Sequence, residues 1–379
     1  MGVLSSYINS DEPATNEPHR LRHLPLLRGG WEGFKSSAVL QRIGISKFMK
    51  ISLRRFAYLV CLGIVMVTLV STCNAIGDRS VTRSKHLVEN CRVVKHVMGE
   101  TCIPRNPQRV VTLRTDTFAN SLALGIKPIA SVYIELANPI PNYLQDKVDG
   151  IELVGGHDAP NLEKILRLKP DLILIGSYYA KAIYKQLSQI APTVVLNIPY
   201  PPPSWQRQLE ELSQVLGKED VYQQLMNDYW QRIEKLQQIL GVGAASPKEN
   251  RRHTLKISVA SASSQYGIWA YGEKHFSGTV LSDIGFQRPR SQTGNFFYVE
   301  NLSEETISEI DGDLLFFLTW DDKDDKKTLE KLQQRPLWRQ LNVVQRDRVY
   351  FVGQHWHSSD IFAVHAMLDD LFKYLGETP

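Results

Sequence analysis

At 379 residues the chain is long enough for two or three domains, and its 43% hydrophobic and 22% charged residues are ordinary for a globular protein. The formal net charge of +4 comes without a Lys/Arg run on an obvious stripe, so nucleic acid is not expected as a partner. The long apolar run Phe56–Val70 covers about 15 residues, short of the roughly 20 that cross a bilayer as a helix but suited to the core of an export signal.

In chain order, residues 1–48 are polar and rich in Pro and Gly, with no apolar period. They read as an upstream extension before a start at Met49, a disordered cytoplasmic tail being the alternative. Residues 49–73 form the expected signal peptide. Lys50, Arg54 and Arg55 supply the basic segment that stays on the cytoplasmic side while the apolar run inserts. The run closes as Val70-Ser71-Thr72-Cys73-Asn74-Ala75, similar to a bacterial lipoprotein processing box with Cys73 as the lipidated residue. Thr72 departs from the usual small residue, so cleavage after Ala75 stays open. Residues 74–90 are then a tether. Cys91 and Cys102 remain to pair in an oxidising compartment. They flank an expected hairpin, Arg92 to Thr101, with Gly99 at its turn. A Met98-Gly99 turn would set Lys95 opposite Cys102, so the bond would need a bulge or an offset.

Beyond the hairpin, short β-branched runs alternate with helical segments, which reads as a mainly parallel α/β protein. Strands are expected over Arg109–Leu113, Ile129–Tyr133, Asp171–Gly176 and Thr193–Asn197, and again over Leu255–Ser261, Asp313–Thr319 and Arg348–Gly353. A weak internal repeat suggests two similar lobes. Leu124-Gly125-Ile126-Lys127-Pro128 followed by a helix opening at Asn161-Leu162 parallels Ile284-Gly285-Phe286-Gln287-Arg288-Pro289 followed by one opening at Asn301-Leu302. Between the halves, Val221, Leu225, Tyr229, Ile233, Leu236 and Leu240 form one apolar stripe of a long helix. Some 20 helical residues span about 30 Å, enough to reach across a small domain. The expected organisation is an N-terminal α/β lobe over 91–216, a connecting helix over 217–241 and a C-terminal α/β lobe over 252–379. Both lobes are Rossmann-like, with the ligand cleft between them.

Ligands of open parallel sheets gather at the carboxyl ends of the strands. The residues delivered there are Arg114, Tyr133, Ser177-Tyr178-Tyr179, Trp320 and Gln354-His355-Trp356-His357. Trp269 and Tyr271, and Phe296-Phe297-Tyr298, add rings in what reads as loop context. One arginine among many rings suits a bulky, partly apolar, partly anionic ligand. His355 and His357 have no further ligand to complete a metal site, so no metal is assigned. Asp321 to Lys327 reads as a solvated loop that lacks the Gly and terminal Glu of an EF-hand. Neither a G-x-S-x-G elbow nor a P-loop is present, Gly241-Val242-Gly243 follows a helix as a linker, and Ser177 and His355 are the remaining candidates for an exported enzyme.

These features together resemble the periplasmic solute-binding proteins of iron–siderophore ABC transporters, the helix-linked two-lobe group, and most of all cyanobacterial members. The resemblance runs from about Cys91 to Leu375. It is carried by Arg92 to Thr101 with Pro104 and Pro107-Gln108-Arg109-Val110-Val111, by Leu122 to Pro128, and by Asn161 to Leu166 with Lys169-Pro170-Asp171-Leu172-Ile173. Pro336-Leu337-Trp338, Arg348 to Val352 and Leu368 to Leu371 complete it. It implies a monomer that captures a ferric siderophore in the cleft and delivers it to a permease in the inner membrane, from a periplasmic position anchored there through Cys73. It implies no chemistry and no cofactor, iron entering only as the siderophore complex. Arg114, Tyr133, Tyr178, Tyr179, Trp269, Tyr298, Trp320 and Trp356 are the expected ligand contacts. Members also carry an acidic permease contact on each lobe; Ala119 stands at the first position, with Asp116 as a substitute, and Asp283 is the candidate on the second. Cobalamin or haem in the same architecture is the alternative ligand.

Overall fold

The computed structural model describes residues 58, 60, 62, 91–133, 140–241, 255–264, 267–320 and 323–376. Tyr58, Val60 and Leu62 are helical and belong to a separate N-terminal unit, residues 1–72. The processing box, Cys73 and the tether lie outside the described residues.

The second unit opens with an antiparallel hairpin, β1 (Cys91–His96) and β2 (Gly99–Pro104). Its turn is Val97-Met98, one residue earlier than expected, with Gly99 taking the following left-handed φ of 128°. That places Val93, not Lys95, opposite Cys102. Cys91 then lies diagonally across the ladder on the same face, with its Cα 5.6 Å from that of Cys102, and the two are disulfide-bonded.

The first lobe is a five-stranded parallel sheet in the order β5 (Glu152–Gly156), β4 (Ala130–Tyr133), β3 (Val110–Thr112), β6 (Leu172–Gly176), β7 (Thr193–Leu196). All five residues of β6 are buried, as a central strand covered on both faces demands. Helices α1 (Thr115–Ala123), α2 (Leu162–Leu168), α3 (Ser177–Ile190) and α4 (Trp205–Leu216) connect and cover these strands. Asn161 opens α2 by accepting the Lys164 N–H at 2.9 Å, and Ser204 opens α4 by accepting that of Arg207 at 3.3 Å.

The long helix α5 (Glu219–Leu240) follows, closed by Gly241 at φ 65°. Tyr229, Ile233, Leu236 and Leu240 from its stripe are buried in a core that also holds Leu172 and Leu174 of the first sheet and Leu314 and Phe316 of the second. The Tyr229 hydroxyl donates to Asp283 at 2.7 Å and Gln237 to the Ile284 carbonyl at 3.2 Å, so α5 is fastened by polar as well as apolar contacts.

The second sheet has the order β10 (Tyr298–Leu302), β9 (Gly267–Tyr271), β8 (Ile257–Ser263), β11 (Leu314–Leu318), β12 (Val349–Val352). Its β8, β11 and β12 are parallel, whereas β9 and β10 add an antiparallel edge. Trp269 and Tyr271, read as loop residues, therefore lie on strand β9 and Tyr298 opens β10, whereas Phe296 and Phe297 precede β10 in the loop. The repeat also diverges here: Asn301 stands inside β10 at φ 56°, one residue before its end, and the following 3-10 helix, Glu304–Ile310, is opened by Ser303. Helix α6 (Phe276–Ile284) precedes β10, and α7 (Lys323–Gln334) begins inside the segment read as an acidic loop. Short helices α8 (Pro336–Arg339) and α9 (Asn342–Gln345) lead to β12, and α10 (Ile361–Gly376) ends the described chain.

The start of α10 is bonded to the first lobe. Ser359 donates to Asp116 at 2.8 Å, the Ile361 N–H to Asn120 at 3.1 Å, and Tyr143, from the 3-10 helix Asn142–Lys147, to Asp360 at 2.6 Å. Asp116, Asn120, Ser359 and Asp360 are all buried, so these bonds are shielded from competing water.

Candidate functional site

The first lobe presents its polar residues where β3, β5 and β6 end. Arg114 follows β3 in extended conformation at the start of α1, and its guanidinium turns back on Asp116. Its Nε donates to Oδ1 at 2.8 Å and its Nη2 to Oδ2, a bidentate pair. The aliphatic part of Arg114 lies over Gly176 at the end of β6. A Cβ there would come within 2.7 Å of Arg114 Cδ, so a larger residue would push this side chain aside. Burial raises the Asp116 carboxyl, but Arg114 and the Ser359 hydroxyl outweigh it and hold the group below its usual range. After β5, His157 shares a hydrogen bond of 3.1 Å with the Thr115 hydroxyl. Burial and then the Arg114 charge lower its pKa, so the imidazole is neutral at pH 7.

From here a row of rings crosses to the second lobe. His157 lies 6.2 Å from Tyr179, which meets Tyr178 edge-on at 4.8 Å. Tyr178 lies 5.6 Å from Tyr200, and Tyr200 stands 6.5 Å from Tyr298 of β10, the step between lobes. Tyr298 stacks on Trp269 at 5.2 Å, Trp269 is 6.2 Å from His357, and His357 meets Trp320 at 5.1 Å. Tyr178 and Tyr200 are more than half exposed, while Tyr179, Trp269, Tyr298 and Trp320 are half-buried, so the row keeps accessible surface. Trp320 is held by its indole N–H, which donates to Ser261 at 2.9 Å. Tyr271, buried behind the row, shares a 3.2 Å hydrogen bond with His357, whose pKa burial lowers to about 4. Phenol and indole faces in such a row can stack on a conjugated or apolar ligand without first being ordered.

Of the residues expected from sequence, Arg114, Tyr178, Tyr179, Trp269, Tyr298 and Trp320 gather around this row. Tyr133 ends β4 in register with Gly156, next to His157. Trp356 does not belong: it is fully buried, stacked on Phe316 at 4.4 Å, with its indole N–H donating to Asp370 at 2.9 Å. The reason is local geometry. Gln354–His357 is a turn of 3-10 helix, which rotates Trp356 into the core and His357 toward the rings. His355 bonds to Asp370 at 2.7 Å, away from His357 and with no link to Ser177. Among the described residues no group of three His, Cys, Asp or Glu is placed to hold a metal ion.

The acidic docking candidates also change. Ala119 is fully buried, Asp116 is buried in its pair with Arg114, and Asp283 accepts from both Tyr229 and Gln206. None of the three is an exposed carboxylate. Sequence reasoning missed Tyr200 and His157. Tyr200 sits in a Pro-rich loop after β7, and its position as the fourth residue after a predicted strand's apolar core was its one signal.

Comparison with known proteins adds the following. The periplasmic binding protein family model matches residues 110–355. A probable siderophore-binding lipoprotein of Bacillus subtilis, YfiY, is 31% identical over 83% of this chain and 96% of its own length. The achromobactin-binding periplasmic protein of Dickeya dadantii is 31% identical over 71% of this chain and 87% of its own. Among solved structures, Staphylococcus aureus SirA complexed with staphyloferrin B superposes with a TM-score of 0.64 at 27% identity, covering 75% of this chain and 98% of SirA.

Proposed function

Since the chain belongs to the periplasmic binding protein family, we propose that it is the extracytoplasmic solute-binding component of an ABC importer and captures a ferric siderophore between its lobes. The observation that carries this reading is the row of rings from Tyr179 through Tyr200 and Tyr298 to Trp320, which spans both lobes with Arg114 at one end. The names of its relatives support the same ligand class.

The task is capture and hand-over without chemistry. The siderophore chelates the iron, and the protein meets only the organic surface of the complex. Walls already braced by α5 and by the Ser359–Asp116 bond lose little freedom on binding, so stacking energy is retained as affinity. Lipidation at Cys73 would tether the protein to the inner membrane beside its permease, with 74–90 as the leash.

Tryptophan fluorescence tests the reading, because Trp269 and Trp320 lie in the row. The protein is titrated with iron-loaded and iron-free siderophores, cobalamin and haem. Saturable quenching by a ferric siderophore is expected. Quenching by cobalamin or haem alone, or by none, would overturn it.

A further inference from the structure

His357 is a polar ring in an otherwise phenol-and-indole surface. It closes the 3-10 turn Gln354–His357 and lies 6.2 Å from Trp269 and 5.1 Å from Trp320. It is half-buried, so the ring keeps some accessible surface beside these two indoles. Its two nitrogens differ. Nδ1 shares the 3.2 Å hydrogen bond with the Tyr271 hydroxyl behind the row, whereas no described residue bonds Nε2. Burial keeps the imidazole neutral and raises the Tyr271 pKa, so the phenol retains its hydrogen. Ser261 is the other neighbour of that phenol. It gives its own hydroxyl hydrogen to the Leu318 carbonyl at 3.2 Å and accepts the Trp320 indole N–H at 2.9 Å. An imidazole nitrogen is a stronger base than a hydroxyl oxygen that already accepts a bond. The Tyr271 hydrogen therefore goes to Nδ1, and the imidazole hydrogen stands on Nε2.

Granted the siderophore reading above, we propose that the Nε2–H of His357 is a ligand contact of the second lobe, donating a hydrogen bond to a hydroxamate, carboxylate or catecholate oxygen of the chelate. Trp269 and Trp320 take the apolar faces beside that oxygen. A donor whose tautomer is already set by Tyr271 needs no reordering when the ligand arrives. It also gives direction to a contact that stacking alone leaves loosely oriented. A chelate without an oxygen at this point would leave the N–H desolvated and unpaired, so the residue selects as well as binds.

The test compares two amides at position 357. Asparagine places its amide where Nδ1 lies and keeps a partner for Tyr271, whereas glutamine reaches the position of Nε2 and keeps the donor. The full chain is titrated by tryptophan quenching with ferrichrome, ferric citrate and a ferric tris-catecholate, affinity being read from the midpoint of the titration. With the chelate that the parent binds most tightly, His357→Asn is expected to weaken binding about tenfold and His357→Gln to recover at least about fivefold of that loss. Glutamine binding no better than asparagine overturns the contact and leaves the siderophore reading intact. The imidazole 15N spectrum of the parent gives a readout that does not depend on how the variants fold: a proton on Nε2 is expected, and a proton on Nδ1 overturns the contact. Quenching of the parent by none of the three chelates overturns the siderophore reading and this contact with it.

Discussion

Ser359, two residues before the first residue of α10, donates its hydroxyl hydrogen to Asp116 of the first lobe at 2.8 Å, with both groups buried. The same carboxylate grips Arg114, so one side chain joins this arginine to the opposite lobe. Ser359→Ala removes a bond to a charged acceptor and is expected to cost about 2 kcal/mol. Urea unfolding measures it, and a loss below about 0.5 kcal/mol would mean that the bond contributes little.

Asp360 gives a pH signature. Burial lifts its pKa from 3.8 to about 7, against the opposing hydrogen bonds from Tyr143 and the Ala363 N–H. Between these two values the folded state holds a proton that the unfolded state has released. Its contribution therefore falls as pH rises through that window, by up to about 1.4 kcal/mol per unit, and levels off above it. Buried neutral histidines such as His357 act in the opposite sense, so the readout is a difference. Relative to Asp360→Asn, the parent should lose stability from pH 4 to 7. A pH-independent difference would contradict the raised pKa.

Gly176→Ala tests whether Arg114 meets the ligand. Gly176 has an ordinary φ of −78°, so alanine adds no backbone strain. Its methyl would press on Arg114 Cδ and on Ile198 Cβ, 3.4 Å away, and push the guanidinium out of place. Ferric-siderophore affinity should fall about tenfold with a stability loss of about 1–2 kcal/mol. Unchanged affinity would remove Arg114 from the binding surface.

Tyr200→Ala removes the ring between Tyr178 and Tyr298. The residue is 56% exposed, so stability should change by less than about 0.5 kcal/mol. Affinity should drop about fivefold or more through the lost stacking surface. Retained affinity, measured by the quenching titration, would place the ligand elsewhere.

Much of the fold was legible because burial leaves a strong local mark. Leu172–Gly176 is apolar throughout and became a central strand, and the stripe from Tyr229 to Leu240 became the buried face of α5. The strands that escaped notice, β5, β9 and β10, have mixed burial patterns and lie at or next to sheet edges, where one face meets water and the apolar signal is diluted. The hairpin turn was misplaced by one residue because Gly99 follows the turn and does not form it.

The site divides in the same way. Chain order alone determined that Arg114, Tyr178, Tyr179 and Trp320 follow strands, since in parallel α/β sheets the strand-to-helix connections emerge on one side. Which rings face one another was decided only in three dimensions. Tyr200 and Tyr298 are 98 residues apart and meet because α5 packs the two sheets into one core. Trp356 lost its place because a helical turn, not a strand, sets its direction. The sequence offered a free arginine at position 114. Tertiary packing gave it a carboxylate partner and tied that partner to Ser359, because burial of all three groups leaves no water to take either role.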